Sequence, residues 1–266
     1  MAAIELPQAQ SGQGALEVAI RAAREAGATV KAHFAGEKHV AFKGRTDIVT
    51  DVDLLAERGI LDLLQREFPH FGIVTEESAD IAGDSAYSWV VDPIDGTRNF
   101  AVGIPHFCVA IALARGDDLL LGVTYDPMKE ELFHATRGGG AYLNDVPISV
   151  SARDGLSSSL VGFDMGYDAE RGGEILKVAG LLWPGVQSVR VMGSAALGLA
   201  YAACGRLDVY FHLYLYPWDM AAGIVLVREA GGVVTDIDGG PVDIRGKRII
   251  ATNAAIHADF MRRVKG

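Results

Sequence analysis

Apolar residues recur at helical spacing from Ala15 to Phe34, at Leu16, Ala19, Ile20, Ala23, Ala26, Val30 and Phe34, and predict one amphipathic helix that stops near Gly36. A polar loop is expected from Glu37 to Thr50. A second helix is expected from Val52 to Phe68, ahead of Pro69, with Thr50 and Asp53 spaced as a capping box. From Phe71 to Val150 the period shortens towards two. Strands are expected at Gly72–Thr75, Tyr87–Val91, Phe107–Arg115, Leu119–Asp126 and Glu131–Thr136, with a further turn over Arg137–Asn144. Short connections such as Arg115–Asp118 and Asp126–Lys129 imply antiparallel neighbours.

After Ser149 strands and helices alternate: strands at Ser159–Asp164, Val186–Val191, Asp208–Leu213, Val233–Asp236 and Ile249–Ala251, and helices at Asp168–Leu182, Ser194–Cys204, Asp219–Ala230 and His257–Val264. This rhythm predicts an α+β, mixed α/β chain. Residues 1–148 form a part with two helices and an antiparallel sheet, and residues 149–266 form an α/β part, the boundary falling near Pro147–Ser149.

Half of the 266 residues are hydrophobic and 22% are charged, so a sizeable core can form and disorder is not expected. The net charge of −10, with no basic patch or stripe, argues against a nucleic-acid partner. It also means that a phosphorylated substrate would need something other than surface Lys and Arg to neutralise it, and a metal would serve. Cys108 and Cys204 sit in apolar surroundings outside any C-x-x-C pair, as buried thiols in a reducing compartment do. The opening Met1–Gln13 is not basic-then-apolar as a signal peptide is, and no run reaches the roughly 18 apolar residues of a membrane span. A cytoplasmic protein without membrane attachment is the expectation.

The chemistry concentrates at Trp89–Phe100. An apolar strand is expected to end at Asp92, where Pro93 has no N–H for the ladder. Asp92 and Asp95 follow within four positions, Gly96 permits a tight turn, and Thr97 is placed to cap what comes next. Free amides at such a turn attract phosphate oxygens. Acids also gather at Glu76-Glu77, at Asp47, Asp51 and Asp53, and at Asp219 within Trp218–Gly223. Each has an ordinary explanation as a solvated pair, a helix N-terminus or a helix cap. Trp218 and the small residues after Asp219 argue for close packing, and a buried carboxylate needs a partner or a metal. Glu76, Asp92, Asp95 and Asp219 supply the oxygen ligands that Mg²⁺ prefers, whereas the seven histidines are scattered without zinc spacing.

These residues carry a resemblance to the inositol monophosphatase family, within the Mg²⁺-dependent, lithium-sensitive sugar phosphatases. Trp89–Phe100 matches the family's first signature and Trp218–Gly223 its second; Thr75-Glu76-Glu77-Ser78 and Lys43-x-x-x-Asp47-x-x-Thr50-x-x-Asp53 match two shorter elements. The resemblance implies a layered αβαβα sandwich and a homodimer. It implies metal ligation by Glu76, Asp92, the Ile94 carbonyl, Asp95 and Asp219, and a water-orienting pair, Asp53 and Thr97. Lys43 and Asp47 would belong to a closing loop, and the amides of Gly96 and Thr97 would meet the phosphate. Gly193, Ser194 and Ala195 resemble the sugar-contacting turn. His212 stands where inositol-cleaving members commonly carry Glu, a departure that leaves myo-inositol 1-phosphate, histidinol phosphate and fructose 1,6-bisphosphate open as substrates.

Overall fold

The computed structural model describes residues 4–44, 47–166 and 169–265. In chain order its elements are α1 (Ala15–His33), β1 (Val40–Phe42), β2 (Ile48–Thr50), α2 (Asp51–Glu67), β3 (Gly72–Thr75), β4 (Tyr87–Asp95), α3 (Thr97–Ala101), β5 (Cys108–Arg115), β6 (Asp118–Asp126), β7 (Glu131–Thr136), β8 (Gly140–Leu143) and β9 (Val146–Pro147). Then come β10 (Leu160–Phe163), α4 (Ala169–Leu182), β11 (Ser188–Val191), α5 (Ala195–Ala203), β12 (Val209–His212), α6 (Pro217–Glu229), β13 (Val233–Thr235), β14 (Ile249–Thr252) and α7 (Ala254–Lys265). The start expected for α4, at Asp168, lies outside the described residues.

Two large sheets organise the chain. One runs β3-β4-β5-β6-β7-β8-β9, antiparallel except for the parallel β3–β4 pair. The other runs β11-β10-β12-β14-β13, parallel over β11, β10 and β12 and antiparallel beyond. Side-chain alternation along β5 shows how the layers arise. Val109, Ile111 and Leu113 face the core under α1 and α2, while Cys108, Ala110, Ala112 and Ala114 face the core shared with α5 and α6. On the far side of the second sheet, Val161, Phe163, Val209 and Phe211 pack with Ile175 of α4 and Ile256 and Phe260 of α7. The order is α1/α2, sheet, α5/α6, sheet, α4/α7: the αβαβα sandwich.

Position in this stack explains each helix's composition. α1 buries one alanine-rich stripe, whereas α5 and α6 are apolar on nearly every side because both faces are covered. The middle layer is also tight. A Cβ at Gly122 of β6 would stand 2.4 Å from the Ala222 carbonyl oxygen of α6. That approach seats α6, and Asp219 at its start, directly on the first sheet.

Three expectations are corrected. The polar loop at 37–50 contains a hairpin, β1 pairing with β2. Each strand is only three residues long and β1 is exposed throughout, so the apolar period that marks a strand is missing. Arg137–Asn144 holds a strand, β8, registered on β7 through Phe133↔Leu143 and Thr136↔Gly140. Finally, β4 does not end at Asp92 but reaches Asp95, its register slipping against β5 between those two residues. Pro93 falls in that bulge, where the ladder asks no N–H of it. Among the described residues no helix is long and apolar enough to cross a membrane.

Candidate active site

The β4 bulge turns the two aspartates into one corner. Asp92 pairs opposite Ala110 and Asp95 opposite Cys108, so three steps on β4 match two on β5. The Asp92 carboxylate accepts the Ile94 N–H at 3.0 Å, which tightens the bend. Gly96 follows at φ +99°, where a Cβ would stand 3.0 Å from the Gly193 oxygen and 3.1 Å from that of His106. Gly96, not Thr97, is the N-cap of α3. The Thr97 hydroxyl is free for other work and lies 3.0 Å from both Asp53 and the Ile94 carbonyl.

Asp95 is docked on the start of α5. It accepts the Ser194 hydroxyl in a short hydrogen bond, the Ala196 N–H at 2.8 Å and the Ala195 N–H at 3.3 Å. Asp219, in the first turn of α6, accepts the Tyr216 N–H at 2.6 Å. Each of Asp92, Asp95 and Asp219 offers an oxygen within 4.8 Å of the others. Glu76 follows the end of β3 and lines the same cavity as Asp92, whose carboxyl pKa is raised by burial and then by Glu76. Lys43 reaches over from the hairpin, donating to Glu76 at 2.8 Å and to Glu77 at 2.9 Å.

The electrostatics follow from this crowding. Burial, then the neighbouring carboxylates, push the carboxyls of Asp92 and Asp219 well above the usual range. Burial holds Asp95 at about 6 against its hydrogen-bond donors, and Asp53 at about 6 against Thr50 and Thr97. Glu77 is raised to about 8 by burial and by Glu76. Burial disfavours the Lys43 ammonium, but Glu76 and Glu77 outweigh it and raise its pKa. Asp53 is held by the Thr50 N–H at 2.9 Å and by the Thr50 hydroxyl, so the capping box and the contact to Thr97 coexist. Asp47 faces the same space, and its Oδ1 is buried with no hydrogen-bond partner.

Lys43, Asp47, Glu76, Asp92, Asp95, Thr97 and Asp219 line one cavity of about 470 Å³; Asp53 stands behind Thr97. Gly193, Ser194, Ala195 and His212 line it too. The donors of the 193–195 turn, however, are spent inside the protein, on Asp164 for Gly193 and on Asp95 for Ser194 and Ala195. His212 accepts the Tyr214 N–H on Nδ1 at 2.9 Å, which leaves the proton of the neutral ring on Nε2. Burial lowers its pKa to about 3, so the ring stays neutral.

Sequence reasoning passed over two carboxylates. Asp164 lines the cavity and accepts the Met192 N–H at 2.7 Å and the Tyr210 hydroxyl at 2.8 Å. Its place just beyond the carboxyl end of a parallel strand was the available signal. Glu57 of α2 accepts the Thr75 hydroxyl at 2.5 Å and the Glu77 N–H at 3.0 Å, fixing the segment that carries Glu76. It reads as an ordinary charged helix residue, and nothing in the sequence sets it apart.

The chain matches the inositol monophosphatase family over residues 13–265. It is 40% identical to inositol monophosphatase 1 of Solanum lycopersicum over 254 residues, 92% of this chain and 93% of that one. It is also 40% identical to the Nus factor SuhB of Escherichia coli K12 over 245 residues, 91% and 92% of the two chains. The crystal structure of the extragenic suppressor protein SuhB from Bartonella henselae superposes with a TM-score of 0.91 at 41% identity, covering 94% of this chain and 97% of that chain. Matched end to end by sequence and by fold, the chain belongs to the inositol monophosphatase family.

Proposed function

We propose that the cavity hydrolyses the phosphomonoester of a small polyol or sugar with Mg²⁺ as cofactor, as an inositol-1-monophosphatase does. Membership of the family makes the chain a phosphatase, a phosphoric monoester hydrolase. The observation that carries the site assignment is the meeting of Asp92, Asp95 and Asp219 within 4.8 Å, beside Glu76. Carboxylates buried this closely repel one another and call for cations. The donors are all oxygen, the set a hard divalent ion takes in preference to zinc's nitrogen and sulfur. Glu76, Asp92, the Ile94 carbonyl, Asp95 and Asp219 would hold it, and the orphaned Oδ1 of Asp47 suits a further, weaker position.

Bound there, Mg²⁺ supplies Lewis acidity, making water a better nucleophile and drawing charge from the phosphoryl oxygens. The chain supplies orientation. Thr97 Oγ donates to Asp53 or the Ile94 carbonyl and keeps lone pairs for the attacking water, which it holds in line with phosphorus. Asp53, poised near 6, draws proton density through that hydroxyl at neutral pH. The new P–O bond forms as the ester P–O bond breaks. The turn amides at Gly96 and Thr97 face the phosphoryl oxygens, and the leaving alkoxide takes a proton from water. No covalent phosphoenzyme forms. Lys43 and Asp47 close the hairpin side. His212 meets the polyol through Nε2–H, as a donor, where Glu would accept.

Lithium inhibition and a homodimer belong to the same reading. The test is phosphate release from myo-inositol 1-phosphate, histidinol phosphate and fructose 1,6-bisphosphate, with and without Mg²⁺. Mg²⁺-dependent release is expected, and the ranking of the three separates an inositol monophosphatase from a histidinol-phosphatase or fructose-bisphosphatase on this scaffold. Silence on all three would refute the reading.

A further inference from the structure

The acidic floor of the cavity is only half of its charge pattern. An aromatic wall climbs from Asp219: Trp218 stacks on Tyr216 with centroids 5.0 Å apart, and Tyr216 meets Tyr214 edge-on at 5.7 Å. All three rings line the cavity. At the far end of the wall stand two cations. The Arg171 guanidinium lies 3.5 Å from the Tyr214 ring centroid. The Lys247 ammonium lies 4.4 Å from the same centroid and 4.8 Å from that of Tyr216, and donates to the Tyr214 hydroxyl at 2.9 Å.

Lys247 is held there by its backbone. It adopts φ +65°, a conformation uncommon outside glycine, and its carbonyl accepts the Leu215 N–H at 2.8 Å. The partners of its ammonium among the described residues are two rings and a phenol, and none is a carboxylate. Ring faces attract a cation without neutralising it. In a chain of net charge −10, a lysine fixed in this way, sharing with Arg171 a tyrosine ring that lines an acid-floored cavity, makes a place for an anion.

We propose that Lys247 and Arg171, mounted on Tyr214, form a second anion-recognising subsite. The preferred substrate is then a phosphate ester of a polyol or sugar that carries another negatively charged group, a phosphate or a carboxylate, at the end remote from the bond that is cut. This rests on the phosphatase reading and adds the substrate class. The scissile phosphate occupies the acidic floor with its cations, the carbon skeleton lies along the tyrosines, and the second anion reaches the rim.

Fructose 1-phosphate and fructose 1,6-bisphosphate share the phosphate at C1 and differ by the second charge, so their kcat/KM ratio in saturating Mg²⁺ isolates the subsite. The wild-type enzyme should favour the bisphosphate by about tenfold or more, through KM, as expected for a charge-assisted contact. Lys247→Gln keeps the aliphatic stem on the rings and should lower that ratio by about tenfold. Arg171→Gln should lower it as well, and Lys247→Arg should retain it. Equal efficiency on the two esters in the wild type would overturn this inference and leave the phosphatase reading standing. So would a Lys247→Gln variant that loses efficiency on both esters by the same factor, because the lysine would then only brace the wall. Hydrolysis of neither ester, with myo-inositol 1-phosphate still cleaved, would overturn the subsite and leave the phosphatase reading standing.

Discussion

Replacing Asp95 by Asn removes one charge from the cavity floor and keeps most of the packing. The Asn carbonyl can still accept an α5 amide, and the Ser194 hydroxyl can turn. In the folded protein burial holds the Asp95 carboxyl at about 6, against an ordinary 3.8. A carboxyl raised by folding binds its proton more tightly in the native state, so its ionisation opposes folding. The cost is full above about pH 6 and fades as the pH falls towards 4. The distance from 3.8 to about 6 is worth roughly 3 kcal/mol at pH 8, and roughly 1 kcal/mol of it remains at pH 4.5.

In chelator at pH 8, Asp95→Asn should therefore melt above the wild type, by on the order of 5–10 °C for a chain of this size, and the gain should shrink at pH 4.5. Burial lowers His106 to about 4 and His212 to about 3, so both destabilise the fold as pH drops through 6.5, but equally in the two proteins. The difference in melting temperature, followed by circular dichroism, isolates Asp95. Adding Mg²⁺ should reverse the order, because the wild type gains a bound ion that the variant holds poorly. A variant that melts below the wild type in chelator at pH 8 would refute the reasoning. It would show the carboxylate to be an anchor for α5 first and a cation ligand second.

Thr97→Val removes the hydroxyl between Asp53 and the Ile94 carbonyl, and should lower kcat by roughly a hundredfold or more with an unchanged fold, read by steady-state kinetics and far-ultraviolet circular dichroism. Asp53, raised to about 6, serves as the carboxylate; kcat/KM should therefore fall as pH drops through about 6, and a flat profile between pH 5 and 8 would remove Asp53 from the mechanism. Gly122→Ala drives a methyl into the Ala222 backbone of α6, and should cost about 1–3 kcal/mol in urea unfolding while raising the Mg²⁺ concentration needed for activity, because α6 carries Asp219.

Much of this was legible along the chain. A period of 3.6 marks α1 and α2 because each has one buried face, and in β5 large and small apolar residues alternate because its two faces meet different cores. Where a strand is short and exposed, as β1 is, the period says nothing, and the hairpin is not legible. The acidic residues of the site were visible as residue types because hard-cation and phosphate chemistry needs carboxylates and small turn residues.

What they do together was decided in space. Asp92 meets Asp219 only because Gly122 and the alanines of β5 let α6 settle on the first sheet. Pro93, which on paper ends a strand, sits in a bulge that swings Asp95 onto the start of α5. Glu57 looks like any other acid until Thr75 and the Glu77 N–H are placed against it. Periodicity and propensity act over a few residues, and through them the sequence by itself determined the elements and the kinds of ligand available. Repulsion between buried charges, and the burial that raises their pKa values, depend on neighbours a hundred positions away. Only the tertiary structure could decide which oxygens face one another.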